Sequence, residues 1–421
     1  MRGALASVVR TTEIDRFRAV RDRTVSLCAP LSTEDHGAQS MPDASPIKWH
    51  LGHTTWFFET FVLAGQPPFD PAFARIYNSY YDTLGDHIDR PSRALLTRPS
   101  LDVVHAYRAH GDAGIERQLG AGGLDAEART GLELGIAHEQ QHQELMLTDL
   151  KHLFATQALR PAYRPELPRP VVPDVALGWL DHPGGVVSIG APGTGFAFDL
   201  ERPRHRVVVE PFRLATRVVT CGEVLGFIDA GGYQEPRLWL ADGWVAARTA
   251  GWTAPLYWDR TTDGWAIFEL AGARALDPAE PACHLSLYEA DAIARWLGAR
   301  LPTEAEWELA ASPLDPDVGN FADDDVLHPR PPTGAGLRQM FGDVWEWTSS
   351  AYAPYPGFQP LPGALGEYNG KFMSGQYVLR GGSCLTPRGH VRASYRNFFP
   401  PATRWQMSGV RLAGDAGRSS T

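Results

Sequence analysis

His138-Glu139-Gln140-Gln141-His142 places two imidazoles four residues apart. On a helix this spacing sets both on one face, one turn apart, close enough to share a metal ion. A second segment, from Ser45-Pro46 to Gly65, reads as a helix of roughly five turns, with Ser45 as N-cap, Pro46 at the first turn and Gly65 as the stop. Along it Trp49, His53, Trp56, Phe57 and Thr60 share one face, which sets His53 in an apolar stripe. A lone histidine there would be a hydrogen-bonded core residue. With a histidine pair on another helix it becomes the third candidate ligand, with His50 one turn away as the fallback. Three histidines on two helices leave positions open for water or substrate, an arrangement that is catalytic rather than structural. All-imidazole ligation suits zinc, iron, copper or nickel. The same five residues also spell the zincin pattern, with Glu139 as general base. Against that, the metzincin extension is absent after His142 and the third ligand lies far upstream.

These residues need helices to position them. Periodic stretches near 12–30, 46–64, 100–119 and 126–156 predict four helices and an up-and-down bundle, with Gly120 to Gly123 as an interhelical loop. A proline-rich run from Arg160 to Pro173 cannot continue a helix, so the domain boundary is expected near residue 165, giving units 1–165 and 166–421. Beyond it the chain turns rich in Gly, Trp and short apolar runs such as Val186–Ile189 and Arg206–Val209. Only two helices are expected there, near 220–230 and 286–298. The fold class is therefore α+β in two domains.

Composition narrows the partners. The 421 residues suit two domains with sizeable cores, and 43% hydrophobic with 21% charged residues describes a folded chain. A net charge of −10 with no basic patch argues against nucleic acid. No apolar stretch is long enough to span a membrane, and Met1 to Arg21 lacks the basic start and apolar run of a leader, so a soluble, unexported protein is expected. Four scattered cysteines, Cys28, Cys221, Cys283 and Cys384, without a CxxC pair fit a reducing cytoplasm.

Four C-terminal segments are too specific for propensity alone: Arg300-Leu-Pro-Thr-Glu-Ala-Glu-Trp-Glu, Phe341-Gly-Asp-Val-Trp-Glu-Trp-Thr, Val378-Leu-Arg-Gly-Gly-Ser and Gly409-Val-Arg-Leu-Ala. Together they resemble the formylglycine-generating-enzyme-like fold, a variant of the C-type lectin-like fold, over about 182–414. Such motifs mostly maintain an irregular core and say little about chemistry. Formylglycine-generating oxidases hold copper through two cysteines near the C-terminus. Here Cys384 supplies one and the stretch to Arg396 no second, so copper-thiolate oxidation is not expected.

The first half resembles the DinB-like bundle. A DinB-like bundle followed by a formylglycine-enzyme-like domain is the layout of the iron-dependent sulfoxide synthases of ergothioneine biosynthesis. Ser45-Pro-Ile-Lys-Trp-His-Leu-Gly-His53-Thr-Thr-Trp-Phe-Phe-Glu, His138-Glu-Gln-Gln-His142-Gln-Glu-Leu-Met-Leu-Thr-Asp and Tyr395-Arg-Asn-Phe-Phe-Pro-Pro are similar to that family. The resemblance implies a non-haem Fe(II) on His53, His138 and His142. It also implies a reaction joining O2, a thiol and hercynine, the betaine of histidine, with a C–S bond at the imidazole and a sulfoxide.

Further roles follow from the resemblance by position. Tyr80 and Tyr81, in Asn78-Ser-Tyr-Tyr-Asp, correspond to a tyrosine pair near the iron in the branch that uses free cysteine, one of them a proton or hydrogen-bond donor to oxygen there. Arg90 matches a partner for the sulfur substrate's carboxylate. Gln141 would hydrogen-bond the hercynine imidazole, directly or through water. Asn397, Phe398 and Phe399 match a loop closing over the site, with aromatic faces suited to a trimethylammonium group. Cysteine is the expected donor. A related branch couples hercynine to a seleno-sugar on the route to selenoneine, and the surroundings of Arg90 would separate the two, because cysteine carries a carboxylate and the sugar only hydroxyls.

Overall fold

Thr12 opens the first helix through a capping box: its hydroxyl accepts from the Asp15 amide and the Asp15 carboxylate accepts from the Thr12 amide, both at 3.2 Å. A computed structural model describes residues 12–169 and 175–417 of the chain. The N-terminal start read for a leader and the end of the proline run, 170–173, lie wholly or partly outside them. Six helices come first: α1 (Glu13–Cys28), α2 (Thr33–Gly37), α3 (Ile47–Phe61), α4 (Phe73–Tyr77), α5 (Leu101–Gly120) and α6 (Ala126–Thr156). The four long ones, α1, α3, α5 and α6, are those expected from periodicity.

Their common core is Phe17 and Val20 from α1, Phe58 from α3 with Val62 and Leu63 just past its end, Ile115 from α5, and Leu132 and Ile136 from α6. Two glycines bring α6 against α3. A Cβ on Gly131 would meet the Phe61 carbonyl oxygen at 2.5 Å, and one on Gly135 the Phe58 ring at 2.5 Å. A larger residue at either would push the helices apart next to His138. The α3 start differs from expectation: Pro46 is the cap and makes no side-chain cap bond, because the Ser45 hydroxyl instead accepts from Arg93 Nη1 at 2.8 Å.

The chain divides into two compact units between Met146 and Leu147, inside α6. The proline run near 165 marks where helix ceases, whereas packing assigns the last turns of α6 to the second unit. There Lys151 Nζ donates to His284 Nε2 at 2.7 Å, and the His152 and Tyr257 ring centroids lie 6.3 Å apart.

The second unit carries short strands: β1 (Trp179–His182), β2 (Gly185–Ile189), β3 (His205–Val209), β4 (Phe212–Val218), β5 (Trp258–Thr261), β6 (Gly264–Glu269), β7 (Gly272–Ala275), β8 (Trp345–Ala351), β9 (Tyr377–Arg380), β10 (Asn397–Phe399), β11 (Ser408–Gly409) and β12 (Arg411–Asp415). They form sheets ordered β1-β4-β12, β10-β9-β8-β11, β2-β3 and β5-β6-β7. Helices α7 (Cys221–Asp229) and α9 (Leu287–Trp296) are the two expected, and α8 (Ala241–Ala250) and α10 (Glu304–Ala311) are additional. Both additions are short, and α10 begins inside the Arg300–Glu308 motif, whose conspicuous residues obscure its helical period.

The four sequence motifs bind one another. Glu346 is fully buried, accepts from Arg411 Nη2 at 2.7 Å and from Trp307 Nε1 at 2.6 Å. Arg380, also fully buried, pairs with Glu304 at 3.0 Å and Glu308 at 3.1 Å. Buried charges require partners of this kind, and the pairing ties α10, β8, β9 and β12 together. All four cysteines are buried and unbridged.

Candidate metal centre

His53 sits mid-way along α3 with its ring stacked on Trp49 (centroids 4.5 Å apart, planes at 14°) and on Trp56 (5.7 Å, 18°). The apolar stripe that the sequence shows is therefore a sandwich that fixes the imidazole plane. Its Nδ1 bonds the Tyr77 carbonyl oxygen at 2.6 Å. That carbonyl belongs to the last turn of α4, where no intrahelical donor exists. The bond sets the tautomer and leaves Nε2 as the ligand atom.

Across from it, α6 presents His138 and His142. The Nε2 atoms of His53 and His138 are 3.1 Å apart, and the His138 ring lies 4.5 Å from Phe57. His142 Nδ1 is bonded to His50 Nδ1 at 2.7 Å. His50 is thus a hydrogen-bonded neighbour of His142, and the candidate ligand group is His53, His138 and His142, whose ring nitrogens fall within 4.8 Å of one another. Burial drives all three imidazoles toward the neutral form, His138 down to about 3 and His53 and His142 well below the usual histidine range. Neutral nitrogens at this separation fit one transition-metal ion, since ligands bound at about 2.1 Å and a right angle are about 3.0 Å apart. No carboxylate or thiolate joins the group among the described residues, so an ion held by these three imidazoles would keep positions for water or substrate.

Glu139 does not serve this site. It is fully buried, with Oε2 accepting from Arg21 Nη1 at 2.7 Å and Oε1 from Arg108 Nη2 at 3.0 Å. Its carboxyl is held down at about 2 against the cost of burial by those two guanidinium groups. A zincin general base must reach the metal-bound water, and this carboxylate is fully engaged elsewhere, which removes the protease reading.

Tyr81 is fully buried, with ring centroids 5.6 Å from Trp56 and 6.5 Å from Phe57, so it lies in the aromatic shell around the histidines. Tyr80 is half-buried and stacks on Tyr81 at 4.8 Å. The pair is held by Asn78, whose side chain donates to the Tyr81 carbonyl at 3.0 Å and accepts from the Tyr81 amide at 2.9 Å. Gln141, on α6 between the two histidines, is half-buried.

Arg90 departs from expectation. Its side chain is exposed and makes a long bond, 3.5 Å, to the Asp43 carbonyl. The guanidinium at the site belongs to Arg93, one turn later. It is buried, lies 3.4 Å over the Trp49 ring, which also stacks on His53, and its charge disfavours protonation of His53 and His142. Arg93 was obscured in the sequence because it follows a proline in a loop with no helical period. It is carried by a six-residue 3-10 turn, Arg90–Leu95, and its Nη1 donates to the Ser45 hydroxyl at 2.8 Å.

Asn397, Phe398 and Phe399 lie in the second unit and form strand β10, paired with β9 in the register Asn397↔Leu379, Phe398↔Val378 and Phe399↔Tyr377. They are not a free loop, because backbone pairing and ring contacts hold them. Phe398 stacks on Tyr352 at 4.0 Å and 8°, and Phe399 meets Trp405 edge-on at 6.0 Å. All three remain half-buried.

Among the described residues no helix is long and apolar enough to cross a membrane. Residues 16–146 match the DinB superfamily, and 180–330 and 316–416 match the sulfatase-modifying factor enzyme 1-like domain. The chain is similar to the hercynine oxygenase of Mycolicibacterium smegmatis, 36% identical with 97% of this chain and all of the relative covered. It is also 36% identical to the hercynine oxygenase of Mycobacterium tuberculosis, over 89% of this chain and 92% of the relative. Ergothioneine biosynthesis protein 1 of Schizosaccharomyces pombe is 29% identical over 52% of this chain and 27% of that protein.

Proposed function

The chain belongs to the hercynine oxygenase family, and from that premise we propose that it is a non-haem Fe(II) enzyme of ergothioneine biosynthesis joining hercynine, cysteine and O2 into hercynylcysteine sulfoxide. The observation that carries this is the buried, neutral, three-histidine group with open coordination positions. In the overall reaction the imidazole C–H and the thiol S–H give way to a C–S bond. One oxygen atom of O2 ends on sulfur and the other leaves as water with the two hydrogens. Bound to His53, His138 and His142, Fe(II) would supply the electron transfer to O2 and a place for the thiol and imidazole to meet.

The chain's own residues do the rest. Trp49, Trp56 and the Tyr77 carbonyl fix His53, and Phe57 packs against His138, so the ligand atoms are oriented before a metal arrives. Arg93 offers a buried guanidinium suited to a carboxylate of the cysteine or hercynine substrate. Tyr81, with Tyr80 stacked on it, is the candidate hydrogen-bond or proton donor that steers the reaction toward coupling and away from simple thiol oxidation. Gln141, half-buried between His138 and His142 on α6, is the candidate partner of the substrate imidazole.

A second reading, coupling of hercynine to a seleno-sugar as in selenoneine formation, is favoured by one observation: Arg90 is exposed and its recorded hydrogen bond runs to the Asp43 carbonyl. The test loads the protein anaerobically with Fe(II), adds hercynine with equal cysteine and 1-seleno-glucose, admits O2 and identifies products by mass. Hercynylcysteine sulfoxide supports the first reading. A selenium isotope pattern on a hercynine adduct supports the second, and neither product refutes both.

A further inference from the structure

Two buried arginines run from α6 to α3 at the height of the histidines. Helical geometry turns Glu139 about 100° from His138, so the imidazole faces α3 while the carboxylate faces α1 and α5. Arg21, from α1, donates through Nη1 to Glu139 Oε2 at 2.7 Å and through Nη2 to the Thr55 hydroxyl at 3.0 Å. Arg108, from α5, donates through Nη2 to Glu139 Oε1 at 3.0 Å and through Nη1 to the Thr54 hydroxyl at 3.1 Å and the Leu51 carbonyl at 3.4 Å. Arg21 Nε closes the set on Asp112 Oδ1 at 2.6 Å. Two parallel bridges thus connect the residue after His138 to the two residues after His53.

We infer that this Glu139–Arg21–Thr55 and Glu139–Arg108–Thr54 double bridge is the device that sets the separation of His53 and His138, making Glu139, Arg21 and Arg108 positioning residues for the metal centre. The inference rests on the three-histidine metal reading. Three considerations favour it over a purely stabilising role. A buried ionic network is on average no more stabilising than packed apolar side chains, so stability alone does not account for Arg21, Arg108 and Glu139 all buried in the core of a bundle. A guanidinium is a rigid planar fork that fixes distance and angle between two partners, which a lysine or an apolar pair does not. The bridges also end on the residues next to the histidines, Glu139 beside His138 and Thr54 and Thr55 beside His53, so a change in their length passes directly to the two imidazoles. The charges balance within the set, two guanidinium groups against Glu139 and Asp112, so the clamp places no net charge beside the metal.

The test uses the full chain and Co(II) as the probe, read by anaerobic titration and by the visible ligand-field band, which reports ligand geometry rather than fold stability. Glu139→Asp keeps the charge but shortens the reach by one methylene, so α6 must turn or slide for both bridges to survive. It is expected to raise the Co(II) Kd tenfold or more and to shift the band. Thr55→Val cuts one bridge without removing a charge. It is expected to raise the Kd about three- to tenfold, and it stands as the test where Glu139→Asp does not fold. Leu132→Val, in the apolar core of the same bundle, serves as the comparison for general loosening and is expected to lower the melting temperature with the Kd and band unchanged. Wild-type Kd and band in Thr55→Val and in any folded Glu139→Asp, or an equal Kd loss in Leu132→Val, would overturn the clamp. Failure of the underlying metal reading looks different: the wild-type chain would not bind Co(II), or His138→Ala would bind it as well as wild type.

Discussion

Gly52→Ala reverses the sign that helix propensity alone predicts. Gly52 lies inside α3, where replacing glycine by alanine ordinarily gains about 1 kcal/mol. Here the new Cβ would lie 2.1 Å from Cε1 and 2.2 Å from Cζ of Tyr77. Carbon contacts rest at about 3.5–4.0 Å, so the Tyr77 ring must retreat by roughly 1.5 Å. It has little room, being 2% exposed and wedged against Phe73 at 5.2 Å and Tyr107 at 6.1 Å. Overpacking of this kind costs about 1–3 kcal/mol, which outweighs or cancels the propensity gain. The displacement also reaches the metal centre, because the Tyr77 carbonyl holds His53 Nδ1 at 2.6 Å. Loss of such a supporting hydrogen bond typically costs about 10–100-fold in metal affinity. The assay pairs thermal unfolding of the apo protein with anaerobic Co(II) titration, and Gly120→Ala at the end of α5, with nothing within 4 Å of its Cβ, is the comparison. Gly52→Ala is expected to melt below Gly120→Ala and to bind Co(II) at least tenfold more weakly than wild type. A variant that melts higher than wild type and keeps its Kd would refute this chain of contacts.

Three other outcomes are expected. With Fe(II), hercynine and cysteine, Tyr80→Phe or Tyr81→Phe is expected to slow sulfoxide formation and raise the share of simple thiol oxidation; an unchanged product ratio in both would remove the pair from the mechanism. Burial pushes the Asp343 carboxyl up to about 6, so the folded protein keeps this proton between about pH 4 and 6, where the unfolded chain has released it. That contribution is full below about pH 4 and lost as pH rises through 6, amounting to about 3 kcal/mol. Asp343→Asn, at a φ of +55° that asparagine tolerates, should therefore gain on wild type as pH rises from 4 to 7 and level off beyond, measured by denaturant titration; a flat difference contradicts the assignment. Arg411→Met strands the fully buried Glu346 carboxylate and is expected to destabilise the second unit by about 3–5 kcal/mol, with Glu346→Gln in the same chain restoring a good part of it; a melting temperature within a degree of wild type would argue otherwise.

The three-histidine group was legible because its spacing is a helical property: His138 and His142 had to share a face, and His53 lay in a stripe of aromatic residues. The four bundle helices follow from the same period. What periodicity cannot convey is which nitrogen is engaged and by what, so His50 read as a spare ligand when it is a hydrogen-bond partner of His142. Arg93 and Asn78 were missed because they act from irregular segments, where position is set by turns and long-range bonds rather than by a repeat. Glu139 was visible, but its role depends on Arg21 and Arg108, 118 and 31 residues away in sequence. In the second unit the motifs identified the fold and not their pairings, since Glu346 and Arg411 are joined only in three dimensions. The unit boundary inside α6 was hidden because the helix runs unbroken through Met146 and Leu147.

The most direct measurement of the central claim is O2 uptake by the anaerobically Fe(II)-loaded chain, with bound iron quantified, in the presence of cysteine with and without hercynine, for wild type and for His53→Ala, His138→Ala and His142→Ala. The account expects about one iron per wild-type chain, O2 uptake coupled to a hercynine adduct only when hercynine is present, and loss of both iron and coupling in each variant. Iron-free wild-type protein, hercynine-independent uptake without adduct, or a fully active histidine variant would contradict it.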